Sequence, residues 1–261
     1  MRTLRRHWME YAIEGCCLGL FMISATGFAV ALQHPRSPLA GWTMSPVLAR
    51  VPMGLAMGAT AAALIYSPLG RRSGAHMNPA VTLTFLRLGK IAWLDAAAYV
   101  AAQFVGGAAG LMLAVPLFRY LPADASVNFA ATMPGPAGVA GAFAGEAVIS
   151  FLLMLTVLAI SNAPGVERFT GLAAAVLVAA FIIVEAPLSG MSMNPARTLA
   201  SALFAHSAGL WIYFTAPPLG MFAAAEVFLR AAGRDRVRCA KLHHPRGVPC
   251  IFHCGHMESA A

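Results

Sequence analysis

The chain carries one ten-residue pattern twice. Ser73-Gly74-Ala75-His76-Met77-Asn78-Pro79-Ala80-Val81-Thr82 and Ser189-Gly190-Met191-Ser192-Met193-Asn194-Pro195-Ala196-Arg197-Thr198 agree at seven of ten positions when aligned on Asn-Pro-Ala. Agreement that dense marks an internal duplication, and a duplication restricts the architecture more than any single motif. Three apolar segments lie between the copies. An odd number of membrane spans turns the second copy upside down, the inverted-repeat arrangement that builds many transport pathways. The second copy also sets Arg197 in strongly apolar surroundings. An arginine at membrane depth is costly, so its default place is beside a pathway.

The triplet has its own local physics. Proline is favoured at the first position of a helix, where its missing N–H has no partner anyway. Asparagine just before it is a good N-cap. Each triplet therefore predicts the start of a helix. The runs that follow, Ala80 to Leu86 and Ala196 to Phe204, are too short to cross a hydrocarbon core of about 30 Å. Two half-helices entering from opposite faces meet near the midplane with their positive ends facing. The amides of Asn78 and Asn194 then point into the gap, because in a wall facing lipid they would lack partners.

Composition agrees with a membrane setting. Of 261 residues, 59% are hydrophobic and only 11% charged, which predicts an integral membrane protein. The net charge of +8 does not indicate a nucleic-acid partner, because the cations are segregated by loop. Arg2, Arg5 and Arg6 precede the first apolar run; Arg71, Arg72, Arg87 and Lys90 flank the first motif; Arg230, Arg234, Arg236, Arg238, Lys241 and Arg246 follow the last span. The opposite loops hold Arg36, Arg50 and Arg119. The positive-inside bias then makes both termini cytoplasmic and the number of full spans even. The first apolar run, about Tyr11 to Leu32, is too long for a signal-peptide core and reads as a retained span.

The predicted spans are Trp8 to Leu32, Pro46 to Tyr66, Trp93 to Leu117, Val139 to Ile160, Phe169 to Val184 and Leu210 to Leu229. The expected fold is an all-α membrane protein of six transmembrane helices plus two re-entrant half-helices, an inverted repeat filling residues 1–232. Each half holds one carboxylate in its first span, Glu14 and Glu146. A buried carboxylate must be hydrogen-bonded or neutralised. No nucleotide-binding loop, nucleophile–base set or carboxylate cluster points to an enzyme.

Residues 233–261 form a basic, Cys/His-rich tail on the cytoplasmic side, outside the spans and predicted to be dispensable for pore formation. Cys239, His243, His244, Cys250, His253, Cys254 and His256 are soft ligands in quantity, enough for a tetrahedral Zn²⁺. Against that stands the ordinary fate of charge-rich tails, which is solvation and disorder. No other cofactor is expected.

Two Asn-Pro-Ala repeats, the second followed directly by Arg197, resemble the aquaporin (major intrinsic protein) family. Ser73-Gly74-Ala75-His76 and Ala80-Val81-Thr82 around the first triplet match as well, and the resemblance covers about residues 8 to 230. It implies a passive channel for water or small uncharged solutes such as glycerol or ammonia, excluding ions and protons. It also implies a homotetramer with one pore per subunit, in contact with membrane lipid, in the plasma (inner) membrane. The pore would be lined by the motifs Asn78, Pro79, Ala80 and Asn194, Pro195, Ala196. Arg197 would belong to the selectivity filter, His76 to the cytoplasmic side of the pore, and Glu14 and Glu146 would brace the re-entrant loops.

Counting from these landmarks places the other filter positions at Met53, Ile182 and Met191. Strict water channels of the family usually have an aromatic in span two and a histidine in span five; glycerol channels usually follow the arginine with Asp, where this chain has Thr198. The chain therefore resembles an atypical, bacterial-type member. The turn-rich insert from Ser67 to Arg72 is about five residues longer than is usual for the family, which bears on the placement of Met53. Two other classes compete with the channel. One is an ion-coupled secondary transporter using Glu14 and Glu146, and the other is a non-transporting structural membrane protein.

Overall fold

In lipid a backbone has no partner but itself, so long apolar runs close their hydrogen bonds as helices. The computed structural model describes residues 2–205, 207–245 and 247–255. Its helices are α1 (Arg2–Arg6), α2 (Trp8–Gln33), α3 (Pro46–Tyr66), α4 (Pro68–Ser73), α5 (Pro79–Arg87), α6 (Trp93–Leu117), α7 (Gly138–Ser161), α8 (Thr170–Val184), α9 (Ala186–Ser189), α10 (Pro195–Ala202) and α11 (Leu210–Ala232). Six are long and apolar enough to cross a membrane: α2, α3, α6, α7, α8 with the turn before it, and α11. An even count returns the chain to the face on which it began. That face carries both α1 and the tail and is the inner one on the expected orientation of the termini.

The half-helices begin at the motif prolines. Asn78 and Asn194 are their N-caps, in extended conformation, as the local physics of the triplet requires. The basic insert after α3 is not a loose loop. Ser67 caps it by accepting from the Gly70 N–H at 3.0 Å, and it closes as α4. α4 stands before the first motif as α9 stands before the second. The order α2, α3, α5, α6 thus repeats as α7, α8, α10, α11.

Small residues set the closeness of the bundle. α2 packs along α6, α7 along α11, and α3 meets α8 across the two halves. A Cβ on Gly106 would lie 2.0 Å from the Gly15 carbonyl oxygen, and one on Gly220 would lie 2.2 Å from that of Ala147. Backbones therefore touch at both crossings, which replaces a hydrophobic drive that lipid cannot supply. Trp8, Trp42, Trp93 and Trp211 are exposed near span ends, where indole rings anchor at a membrane interface.

The tail departs from the solvated reading. Val237, Cys239, Ala240, Lys241, Leu242 and Phe252 are buried against the inner face. Apolar and small residues interleave with the basic ones, and these make the contact.

Gly106→Leu should force α2 and α6 apart, because the obstacle is backbone rather than a movable side chain. Overpacking of this kind costs about 1–3 kcal/mol. A thermal unfolding midpoint in detergent well below that of the unsubstituted protein, with a smaller monodisperse fraction, is the expected outcome.

Candidate functional site

The re-entrant loops bring non-helical backbone to membrane depth, and their conformation is demanding. In the first, Gly74, Ala75 and Met77 have φ of 102°, 56° and 48°; in the second, Gly190, Met191 and Met193 have 79°, 53° and 55°. Left-handed non-glycine residues cost about 1–3 kcal/mol each and persist only where the surroundings over-determine them. Here the surroundings are two fully buried carboxylates. Glu14 accepts from Ser73 Oγ at 2.7 Å, the His76 N–H at 3.0 Å, the Met77 N–H at 2.7 Å and Gln103 Nε2 at 3.1 Å. Glu146 accepts from Ser189 Oγ at 2.8 Å, the Ser192 N–H at 2.6 Å and the Met193 N–H at 2.7 Å.

Two tyrosines complete the support. Tyr99 of α6 donates its hydroxyl to the Ser73 carbonyl at 2.7 Å, and Tyr213 of α11 donates to the Ser189 carbonyl. Sequence reading missed both, together with Gln103. The signal was available: each tyrosine is a buried polar residue in the span that follows its half-helix.

Asn78 and Asn194 hold the loops to each other. Their Oδ1 atoms cap the half-helices, accepting from the Ala80 N–H at 2.8 Å and the Ala196 N–H at 3.0 Å. Their Nδ2 atoms cross over, Asn78 donating to the Met193 carbonyl and Asn194 to the Met77 carbonyl, both at 2.7 Å. An amide NH₂ has two hydrogens, so this exchange leaves one on each side chain for the cavity that both line. Pro79, Ala80, Pro195 and Ala196 are buried in the first turns behind the asparagines and shape the helix starts.

That cavity has a volume of about 400 Å³ and runs between the spans past both asparagines. Met53 from α3, Ile182 from α8, and Met191 and Arg197 from the second motif all line it. Arg197 has its backbone N–H bonded to Asn194 Oδ1 at 3.2 Å, while its Nη1 is buried without a hydrogen-bond partner among the described residues. Thr198 ties the outer loop to the motif through Thr132 Oγ1 at 2.9 Å. Arg50, a turn before Met53, lines the cavity too and donates from Nε to the Ile183 carbonyl at 2.8 Å. The sequence marks Arg50 only as one of the charges of the outer side. The remaining wall is largely apolar, including Leu18, Phe21, Met57, Val81, Leu153 and Val178.

Residues 5–228 match the family described as Major intrinsic protein. The chain belongs to the major intrinsic protein family. This is a family of membrane channels, not of enzymes. Aquaporin NIP1-3 from Oryza sativa subsp. japonica is 34% identical over 213 residues, which is 81% of this chain and 70% of that protein. Aquaporin NIP3-1 from the same plant is 37% identical over 170 residues, 64% of this chain and 53% of that protein. Aquaporin NIP1-2 from Arabidopsis thaliana is 34% identical over 181 residues, 67% of this chain and 61% of that protein. The chain thus spans about half to 70% of the length of these plant relatives. The solved aquaglyceroporin from Plasmodium falciparum shares the fold, with a TM-score of 0.69 over 85% of this chain and 95% of that one, at 21% identity.

The part matched to the major intrinsic protein family stops before the tail, and the tail packs against a residue at the inner end of the cavity. His76 lines the cavity there but is buried. Its ring is stacked between Phe85, centroids 5.2 Å apart, and Phe252 of the tail, 5.4 Å apart. Nδ1 pairs with Thr82 Oγ1 at 3.0 Å and Nε2 with the Ala240 carbonyl at 2.8 Å.

Of the candidate metal ligands in the tail, Cys239, His244, Cys250 and Cys254 converge. His243 instead packs edge-on against Tyr66, and His253 Nδ1 is hydrogen-bonded to the Gly89 carbonyl at 2.9 Å. His256 lies outside the described residues.

Glu14→Gln and Glu146→Gln each replace a charged acceptor of several N–H groups with an amide that presents a donor to them. Hydrogen bonds to charged groups contribute about 1.5–3 kcal/mol, so either substitution should lower the thermal midpoint clearly. A proton relay would give the reverse pattern, with stability intact and only a pH-dependent flux lost.

Proposed function

We propose that the protein is a passive channel for water and small uncharged solutes, with glycerol and ammonia the first to test, and that it excludes ions and protons. One observation carries the reading. A single cavity passes both Asn78 and Asn194 and is also lined by Arg197. Two helix N-termini and a fixed guanidinium make that path positive, which repels protons and other cations.

The proposed filter is Met53, Ile182, Met191 and Arg197, three apolar residues and one cation. Water entering such a neck loses hydrogen bonds that the wall does not return. A solute with carbon atoms is penalised less. We therefore assign it modest water flux with permeation of small neutral solutes. These departures from both main subgroups are the sole basis for an atypical, bacterial-type assignment, since the relatives named above are plant proteins. The coupled-transporter reading has less support, because Glu14 and Glu146 are occupied by loop donors. The Lys/Arg bias supports cytoplasmic termini in a plasma (inner) membrane, and family membership supports a homotetramer.

Swelling of proteoliposomes in gradients of water, glycerol and ammonia tests the reading. Rapid water flux with rejection of every larger solute would contradict the assigned filter chemistry. Arg197→Val should admit protons or cations to planar bilayers that the unsubstituted protein leaves silent. Ile182→His should raise the ratio of water to glycerol flux, since the imidazole narrows the neck and gives water a polar partner.

A further inference from the structure

The tail gathers four soft ligands, and it does so across the inner end of the cavity. The Sγ atoms of Cys239, Cys250 and Cys254 and one ring nitrogen of His244 all lie within 4.8 Å of one another. Cys239 Sγ is 3.6 Å from Cys250 Sγ, and Cys254 Sγ is 3.4 Å from His244 Nε2. A disulfide needs about 2.05 Å between sulfurs. A tetrahedral Zn²⁺, with Zn–S of about 2.3 Å and Zn–N of about 2.0–2.1 Å, separates two thiolates by about 3.8 Å and a sulfur from a nitrogen by about 3.5 Å. The spacings fit the metal tetrahedron and are too long for a bond. The ligands come from both arms of one reversal, which turns through Gly247 at φ 79°.

The same ligands bracket two tail residues at the inner end of the cavity. Leu242 lies between Cys239 and His244 in the chain, and Phe252 between Cys250 and Cys254. Leu242 lines the cavity, and Phe252 covers His76. The residues that line the inner end are little exposed, Ile65 at 2%, Val157 at 3%, Ala174 at 4% and Leu242 at 7%. Three parts of the rim hold the tail in place. The Arg238 N–H bonds to Asn162 Oδ1 at 2.7 Å beyond α7; the Leu242 N–H bonds to the Gly74 carbonyl at 3.1 Å beyond α4; the His253 N–H bonds to the Lys90 carbonyl at 3.0 Å beyond α5. Lys241 Nζ adds a bond to the Arg71 carbonyl at 2.8 Å, His253 Nδ1 pairs with the Gly89 carbonyl at 2.9 Å and His76 Nε2 with the Ala240 carbonyl at 2.8 Å; a metal would cross-link the two arms that these bonds seat.

We propose that Cys239, His244, Cys250 and Cys254 bind one Zn²⁺, and that the bound metal holds Leu242 and Phe252 as a cap over the inner mouth of the pore. Binding takes the thiolates and releases their protons to solvent, and no redox step is involved. The metal site stands on its own geometry; the closing role rests on the channel reading above.

Full-length protein purified with Zn²⁺ present should contain about one zinc per chain by elemental analysis, and Co²⁺ in its place should give thiolate charge-transfer and tetrahedral d–d absorption. Cys250→Ser should lose both signals, whereas His243→Ala should keep them. In proteoliposomes, stripping zinc from the unsubstituted protein with a membrane-permeant chelator should raise water and glycerol flux several-fold, reversibly on adding Zn²⁺. Leu242→Ala paired with Phe252→Ala should raise flux with zinc still bound. Full-length protein without zinc, or Cys250→Ser retaining it undiminished, overturns the site. Stoichiometric zinc with flux unchanged on stripping overturns the cap. A protein that conducts nothing in any of these states overturns the channel reading and the closing role with it, while the zinc count still decides the site.

Discussion

Two buried carboxylates allow this chain to bring non-helical backbone into a membrane. Lipid offers no partner to a free N–H, so irregular segments survive at that depth only when protein groups satisfy them. Glu14 and Glu146 each accept consecutive backbone N–H groups from one re-entrant loop and the hydroxyl of the serine that opens it. That fixes the left-handed residues, which aim Asn78 and Asn194 at each other, and the asparagines in turn start the half-helices. If either carboxylate were removed, the loop donors would face an apolar gap.

Much of this was legible because its causes are local. Proline at N1 and asparagine at the N-cap are properties of a tripeptide, and the structure begins both half-helices there. Spans two and three have the ends that Pro46, Tyr66, Trp93 and Leu117 mark in the sequence. What was not legible depends on contacts between distant residues. The crossed amide bonds join residues more than a hundred positions apart. Arg50 looked like a loop charge because a sequence does not say which face of a first turn meets a cavity. The tail was read by its charge, yet Val237, Ala240, Leu242 and Phe252 follow no helical or strand period that would have announced a buried face. Which of seven soft ligands converge was likewise settled by folding, since His243 and His253 find other partners.

The two halves share a scaffold and differ in what they do with it. At the position three after the motif asparagine, the first half has Val81 and the second Arg197. Both line the cavity, but only the second puts a cation there. Arg50 adds another charge at the same end. At the opposite end stands His76, whose Nδ1 pairs with the Thr82 hydroxyl to which Gln103 Nε2 also donates. The repeat therefore presents one geometry twice, with different side chains at its two ends.

That difference bears on how a permeant would be handed along the pore. Arg197 and the free hydrogens of Asn194 and Asn78 offer polar partners in succession from the outer end. The next polar group on the path is His76, and with the tail seated neither of its nitrogens is free, because Nδ1 is paired with Thr82 and Nε2 with the Ala240 carbonyl. On the proposed cap, the tail would close the inner end in two ways. Leu242 and Phe252 fill space, and Ala240 occupies the hydrogen-bonding site that a polar solute would need there. Lifting the tail would return Nε2 to the pore at the same moment that it opened the exit, so steric release and the last polar step of the path are a single event.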